Sequence, residues 1–163
     1  MSTRSCYIFK DKHGSYAVYK HSDGYPTGAA ETLIAAKKYA WYGERWEADE
    51  FAAAFVAAGK FDVYESRKKY AKQSKDKIID AGGQMRLLVS AEMKDMPGDI
   101  EYLYVVRDVS NSDTPRVTVQ AYSVKFPWGD DAEPHSEKHL TAIFECLLDD
   151  VKAVATDYEK KRA

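Results

Sequence analysis

The apolar positions of this chain fall into two periods, and each predicts an element. From Arg4 to Lys10 they alternate, with Cys6 and Ile8 on one face and Tyr7 and Phe9 on the other. From Ser15 to Lys20 they alternate again, Tyr16 and Val18 against Ala17 and Tyr19. The link Asp11-Lys12-His13-Gly14 ends on glycine, so the two runs predict a β-hairpin. Three more strand-like runs follow later: Met85 to Met93, Ile100 to Arg107 and Arg116 to Phe126. Turn-forming links at Met96-Pro97-Gly98-Asp99 and Ser110 to Pro115 separate them, which predicts an antiparallel meander.

Elsewhere the period is 3.6. A helix is expected from about Gly28 to Trp41, with Leu33, Ile34, Lys37, Ala40 and Trp41 on one face and Gly28 as its N-cap. A second is expected from Ala48 to Ala58, with Asp49 and Glu50 in its first turn, Phe51 above Phe55, and Gly59 as its stop. Phe61 to Asp80 reads either as a third helix or as a mobile arm, broken by Gly82-Gly83. A long helix is expected from Glu137 to Lys160, because Leu140, Ile143, Phe144, Leu147, Val151, Val154, Ala155 and Tyr158 make one stripe sized to lie across a sheet. The order ββα(α)αβββα predicts a single α+β domain over 1–163. It would hold an antiparallel sheet of about five strands packed by helices, with 61–81 a mobile or helical insertion.

Composition narrows this only in places. The chain has 163 residues, the usual size of one domain. Its net charge of −2 gives no global field for nucleic acid. Its 12 tyrosines suit a half-exposed sheet or a contact surface. Cys6 and Cys146 share no metal-ligand spacing and make no disulfide framework, which points to a reducing, cytoplasmic compartment. The N-terminus lacks the apolar core of a signal peptide, and no apolar run approaches the roughly 18–20 residues of a membrane span.

Candidate chemistry concentrates in the loop between hairpin and first helix. A chain entering a helix through Pro26-Thr27-Gly28 presents free backbone amides, which attract anions. With Lys20, His21, Asp23, Tyr25 and Thr27 beside them, this loop is a candidate site for a phosphate, a nucleotide or a carboxylate, by binding or by catalysis. The same residues also serve a plain connector, in which Asp23 caps the turn and Tyr25 packs. No P-loop or dinucleotide fingerprint is present. Arg67, Lys68, Lys69, Tyr70 and Lys72 form a basic cluster able to hold phosphates while a tyrosine stacks on a base. They equally describe the solvated face of a helix. His135 and His139 stand four apart, the spacing of two metal ligands on a helix. His135 follows Pro134, though, and so sits at the helix's start, outside the needed geometry. Gly82-Gly83-Gln84 shares three letters with the catalytic tripeptide of peptide-release factors but runs straight into a strand. No set of residues nominates itself as catalytic, and no metal or other cofactor is expected.

The N-terminal block adds context. Arg4, Tyr7, Phe9, Asp11, Gly14 and Tyr16, then Val18-Tyr19-Lys20-His21 and Asp23-Gly24-Tyr25-Pro26 with Gly28, resemble a group of small phage and prophage proteins with no established activity. The run Glu47 to Phe55, and Gly82-Gly83 with Arg86-Leu87, are similar to later blocks of that group. The resemblance covers roughly the first half of the chain. It implies a phage-borne accessory protein in a bacterial cytoplasm, whose partner is a host protein such as a defence or CRISPR component.

Overall fold

The computed structural model describes residues 2–68, 85–125 and 133–163. Its strands are β1 (Ser5–Asp11), β2 (Gly14–Lys20), β3 (Met85–Leu87), β4 (Tyr102–Asp108), β5 (Val117–Val124) and β6 (Leu140–Leu147). Its helices are α1 (Pro26–Ala36), α2 (Ala48–Lys68) and α3 (Val151–Arg162). All six strands join one sheet in the order β3-β2-β1-β4-β5-β6. The class is α+β, as the patterning predicts, and β1 and β2 form the expected hairpin, from Ser5 opposite Lys20 to Asp11 opposite Gly14.

The sheet departs from the expectation in two ways. Among the described residues it has six strands, and it is mixed, because β1 and β4 run parallel at its centre with Ser5 beside Tyr102. A parallel pair needs a long crossover, here supplied by the chain through β2, α1 and α2. Of the expected meander, the second and third runs pair as β4 and β5, and the strand that continues it, β6, comes from 140–147. Of the run from Met85 to Met93, only Met85–Leu87 is strand, and it pairs with β2 at the far edge.

The long helix from Glu137 does not form. Residues 140–147 are strand, and only Val151–Arg162 is helical. The helix-like pattern of this strand comes from a β-bulge. Ala121 pairs with Phe144 while Tyr122 pairs with Ala142, so Ile143 is the extra residue. Consecutive Ile143 and Phe144, together with Cys146, then pack against the same core. That breaks the period of two and imitates a helical stripe.

The other helices shift at their ends. α1 begins at Pro26 with Tyr25 as N-cap, since proline at the first helical position is pre-set for the turn. Gly28 lies inside it, and Trp41 lies beyond its end at Ala36. α2 runs through Gly59 to Lys68. Gly59 does not stop the helix, and a Cβ there would meet the end of the Met85 side chain on β3. Of the expected insertion at 61–81, residues 61–68 extend α2, and 69–81 lie outside the described residues.

Helices cover one face of the sheet. Tyr7, Phe9, Val18, Tyr104, Val106 and Val119 meet Leu33, Phe51, Phe55 and Leu148 in the main core. Its aromatic rings touch in offset or tilted pairs, Tyr7–Tyr104 at 5.1 Å and Phe9–Phe55 at 5.2 Å between centroids. On the opposite face, Cys6, Ala17, Tyr19, Leu103 and Val124 make a smaller core with Met96 and Ile100 from the segment after β3. No described helix is long and apolar enough to cross a membrane.

Candidate functional site

The loop after β2 is held together from within. Lys20 is buried, and its ammonium donates to the carbonyl oxygens of Ser22 at 2.6 Å and Asp23 at 3.1 Å. Desolvation holds its pKa below the usual lysine value, although Asp23, Asp62 and Glu31 pull the other way. Asp23 adopts a left-handed φ of 57°. Gly24 donates its amide to Thr3 O at 2.9 Å, and its carbonyl accepts from the Tyr104 hydroxyl at 2.7 Å. His21 Nδ1 lies 3.0 Å from the Tyr19 hydroxyl.

The amides at the start of α1 do attract an anion, and that anion is Glu159 of α3. Its Oε1 accepts from the Thr27 amide at 2.8 Å and its Oε2 from Thr27 Oγ1 at 2.9 Å. The five candidate residues therefore share a loop but not a pocket. Lys20 points into the fold's own carbonyls, His21 pairs with Tyr19, Asp23 is exposed, and Tyr25 and Thr27 sit at the α1–α3 junction. A shallow hollow of about 350 Å³ lies there, lined by Tyr25, Pro26, Tyr102, Glu159 and Arg162. Arg162 donates to the hydroxyls of Tyr102 and Tyr158, each at 3.3 Å.

His135 precedes and His139 ends a single 3-10 turn, Glu137–His139, so the two do not share a helix face. His135 is 3% exposed, and its Nε2 faces the carbonyls of Pro97 and Gly98, both at 3.1 Å. It pins the segment that covers the smaller core. His139 accepts the Ser136 amide at Nδ1 and holds Glu133 with Nε2 at 3.2 Å. The rings stand edge to face at 5.9 Å. Among the described residues no group of three His, Cys, Asp or Glu is placed to hold a metal. In the basic cluster, Arg67 and Lys68 end α2, and Lys69, Tyr70 and Lys72 lie outside the described residues, as does Gly82-Gly83-Gln84.

A larger site lies at the opposite end of the sheet, where sequence reasoning nominated nothing. Two adjoining hollows, about 170 and 580 Å³, share Trp46 and Pro115. They open between the β1–β2 turn, the 42–47 loop, the β4–β5 loop and the end of β6. Asp11 builds one wall. Its Oδ1 accepts from the amides of His13 at 2.7 Å and Gly14 at 3.1 Å, and its Oδ2 from Ala48 at 2.8 Å, so the end of β1 caps α2. Burial works against its charge, but the three amides outweigh it and hold the carboxyl below the usual range. Asp108 closes the β4–β5 loop, accepting from Ser110 at 2.9 Å and Arg116 at 3.0 Å. Asp149 fixes the other side through Lys37 at 2.6 Å and the Tyr42 hydroxyl at 2.9 Å, and the lysine holds its carboxyl below the usual range.

At the rim the Arg45 guanidinium lies 3.8 Å from the ring centroid of Trp41, with Glu47 Oε1 2.9 Å from its Nη2. Trp46 beneath is 6% exposed and packs on Phe51 at 5.7 Å, and its buried indole N–H has no acceptor among the described residues. The larger hollow is lined by Asp11, Glu44, Glu47, Asp108 and Asp113 against Lys12, Arg45 and His13. The legible signal for this site was density: Tyr39, Trp41, Tyr42 and Trp46 fall within one short stretch after α1.

Neither thiol offers a nucleophile. Burial pushes Cys6 up to about 12 and Cys146 up to about 11. Comparison with family models, with curated proteins and with solved structures yields no match, so the geometry alone carries the reading of this site.

Proposed function

We propose that this protein is a phage-borne accessory protein that acts without catalysis, by binding a bacterial host protein such as a defence or CRISPR component. The observation that supports binding is the exposed Trp41–Arg45 stack. Trp41 is 50% exposed and its neighbour Tyr39 52%. Tryptophan, tyrosine and arginine are the side chains that dominate binding energy at protein interfaces. Here the guanidinium is already seated on the indole and anchored by Glu47, so little freedom is left to lose on association. The polar groups of the Lys20–Thr27 loop are engaged with the fold's own atoms, which also favours binding over catalysis. The phage and host context comes from the resemblance of the first half of the chain.

The test is a pull-down from bacterial lysate with the tagged protein and with a Trp41→Ala/Arg45→Ala variant. A specific partner retained by the first and lost by the second is expected. No specific partner, or equal capture by both, overturns the proposal. A second reading keeps a small anion at the Lys20–Thr27 end, favoured by the hollow between Tyr25 and Arg162. A nucleotide that raises the melting temperature would support it, and a screen that moves nothing removes it.

A further inference from the structure

We infer that the cleft walled by Trp46 receives an extended, arginine- or lysine-bearing segment of the bound protein, whose backbone carbonyl accepts the Trp46 indole N–H. The inference rests on the protein-binding reading and names the chemistry of the partner.

Three observations converge. The first is charge. Five carboxylates line the larger hollow against two fixed cations, Lys12 and Arg45. Most are committed inside the fold: Asp11 and Asp108 to backbone amides, Glu47 to Arg45. Glu44 and Asp113 are exposed and make no ion pair among the described residues. They are the acceptors left for an incoming cation, and arginine presents the matching fork of donors.

The second is the orphan donor. A buried N–H without an acceptor is unfavourable, and Trp46 lines both hollows. A carboxylate or phosphate reaching that donor through the larger hollow would pass Glu44 and Asp113. A peptide carbonyl satisfies it without adding negative charge. The third is continuity. Arg45 lines the cleft and also stacks on Trp41, so a partner covering the Trp41 ring lies directly beside the opening. The larger hollow has the size of sites that take small ligands or a few residues of peptide.

The test follows the tryptophan indole signals of ¹⁵N-labelled protein, the Trp46 signal being the one lost in Trp46→Phe. A short blocked peptide alternating glycine with arginine is titrated in, beside one with glutamate in place of arginine. The arginine peptide should move the Trp46 signal downfield and saturate. Its midpoint should weaken about threefold or more when salt rises from about 50 to about 300 mM, and similarly in Glu44→Gln/Asp113→Asn. An unmoved Trp46 signal, or an equal response to the glutamate peptide, overturns the inference. The two readings fail separately. A host partner captured through Trp41 with no response to the arginine peptide removes only the cleft's assignment. A peptide response without any host partner removes only the proposed function.

Discussion

Glu159 and Thr27, 132 positions apart, form the contact that closes the N-terminus of α1, with Oε1 2.8 Å from the Thr27 amide and Oε2 2.9 Å from its hydroxyl. Tyr25, the N-cap, makes no side-chain cap bond, so the start of the helix depends on α3. Glu159→Ala should cost about 1 kcal/mol, the usual worth of a cap. The freed amides should then bind a solvent anion. Urea unfolding in sulfate and in chloride at matched ionic strength checks both points. The variant should recover more stability from sulfate than the parent does, and an equal response would remove Glu159 from this role.

Gly28 presents a reversal of the ordinary helix rule. Within a helix, Gly→Ala normally gains about 1 kcal/mol. A Cβ at Gly28 would run into the Asp23 carbonyl oxygen, which also accepts from the Lys20 ammonium. Neither partner can retreat without opening the loop. Gly28→Ala should therefore lose about 2 kcal/mol or more in denaturant unfolding, as steric conflicts in packed regions do. A stabilised variant would contradict the close approach of loop and helix.

Asp11 ties the hairpin turn to α2, and that tie is pH-dependent. Its folded pKa is depressed below the unfolded value, because three amides outweigh the desolvation that opposes its charge. A depressed carboxylate contributes stability that is present above the unfolded pKa of about 3.9 and lost as pH falls through the folded pKa. Asp11→Asn should accordingly be less stable than the parent at neutral pH, with the gap closing as pH drops below about 4. Denaturation midpoints across that range decide it. A gap that persists unchanged in acid would mean that shape, not charge, carries the contact.

These contacts mark what one-dimensional patterning can and cannot show. The hairpin is legible because Cys6 and Ile8 alternate with Tyr7 and Phe9 up to the turn at Asp11–Gly14. The parallel seating of β1 on β4 is not, since no local pattern links Ser5 to Tyr102. β6 misleads because the bulge at Ile143 puts two successive apolar residues against one core. Gly28 misleads as an N-cap although Pro26 carries the better signal, a proline pre-set for the first helical position. The anion affinity of that helix start is legible, but the identity of its anion depends on α3 lying across it. The Trp46 cleft is assembled from four separate connections, so only its cluster of aromatics shows in the sequence.

The two thiols provide a test of the sheet itself. Cys6 is fully buried on β1 against the smaller core, and desolvation, reinforced by Asp99 and partly offset by Arg86, pushes its pKa to about 12. Cys146 lies on the edge strand β6, half-buried, and desolvation with the nearby charges of Asp150 and Glu145 pushes it to about 11. Since the thiolate is the reactive form, burial lowers the reactivity of both thiols, and more so for Cys6. Neither should react with Ellman's reagent at the rate of a free thiol in the native protein. Both should react promptly once denaturant is added. In the native state Cys146 should precede Cys6, because it is the more accessible and the less shifted. If Cys6 led, the burial of β1 between the two cores would be wrong. A native Cys146 as fast as a free thiol would mean that β6 leaves the sheet edge readily, and the helix-side core would then lose the cover of Ile143 and Phe144.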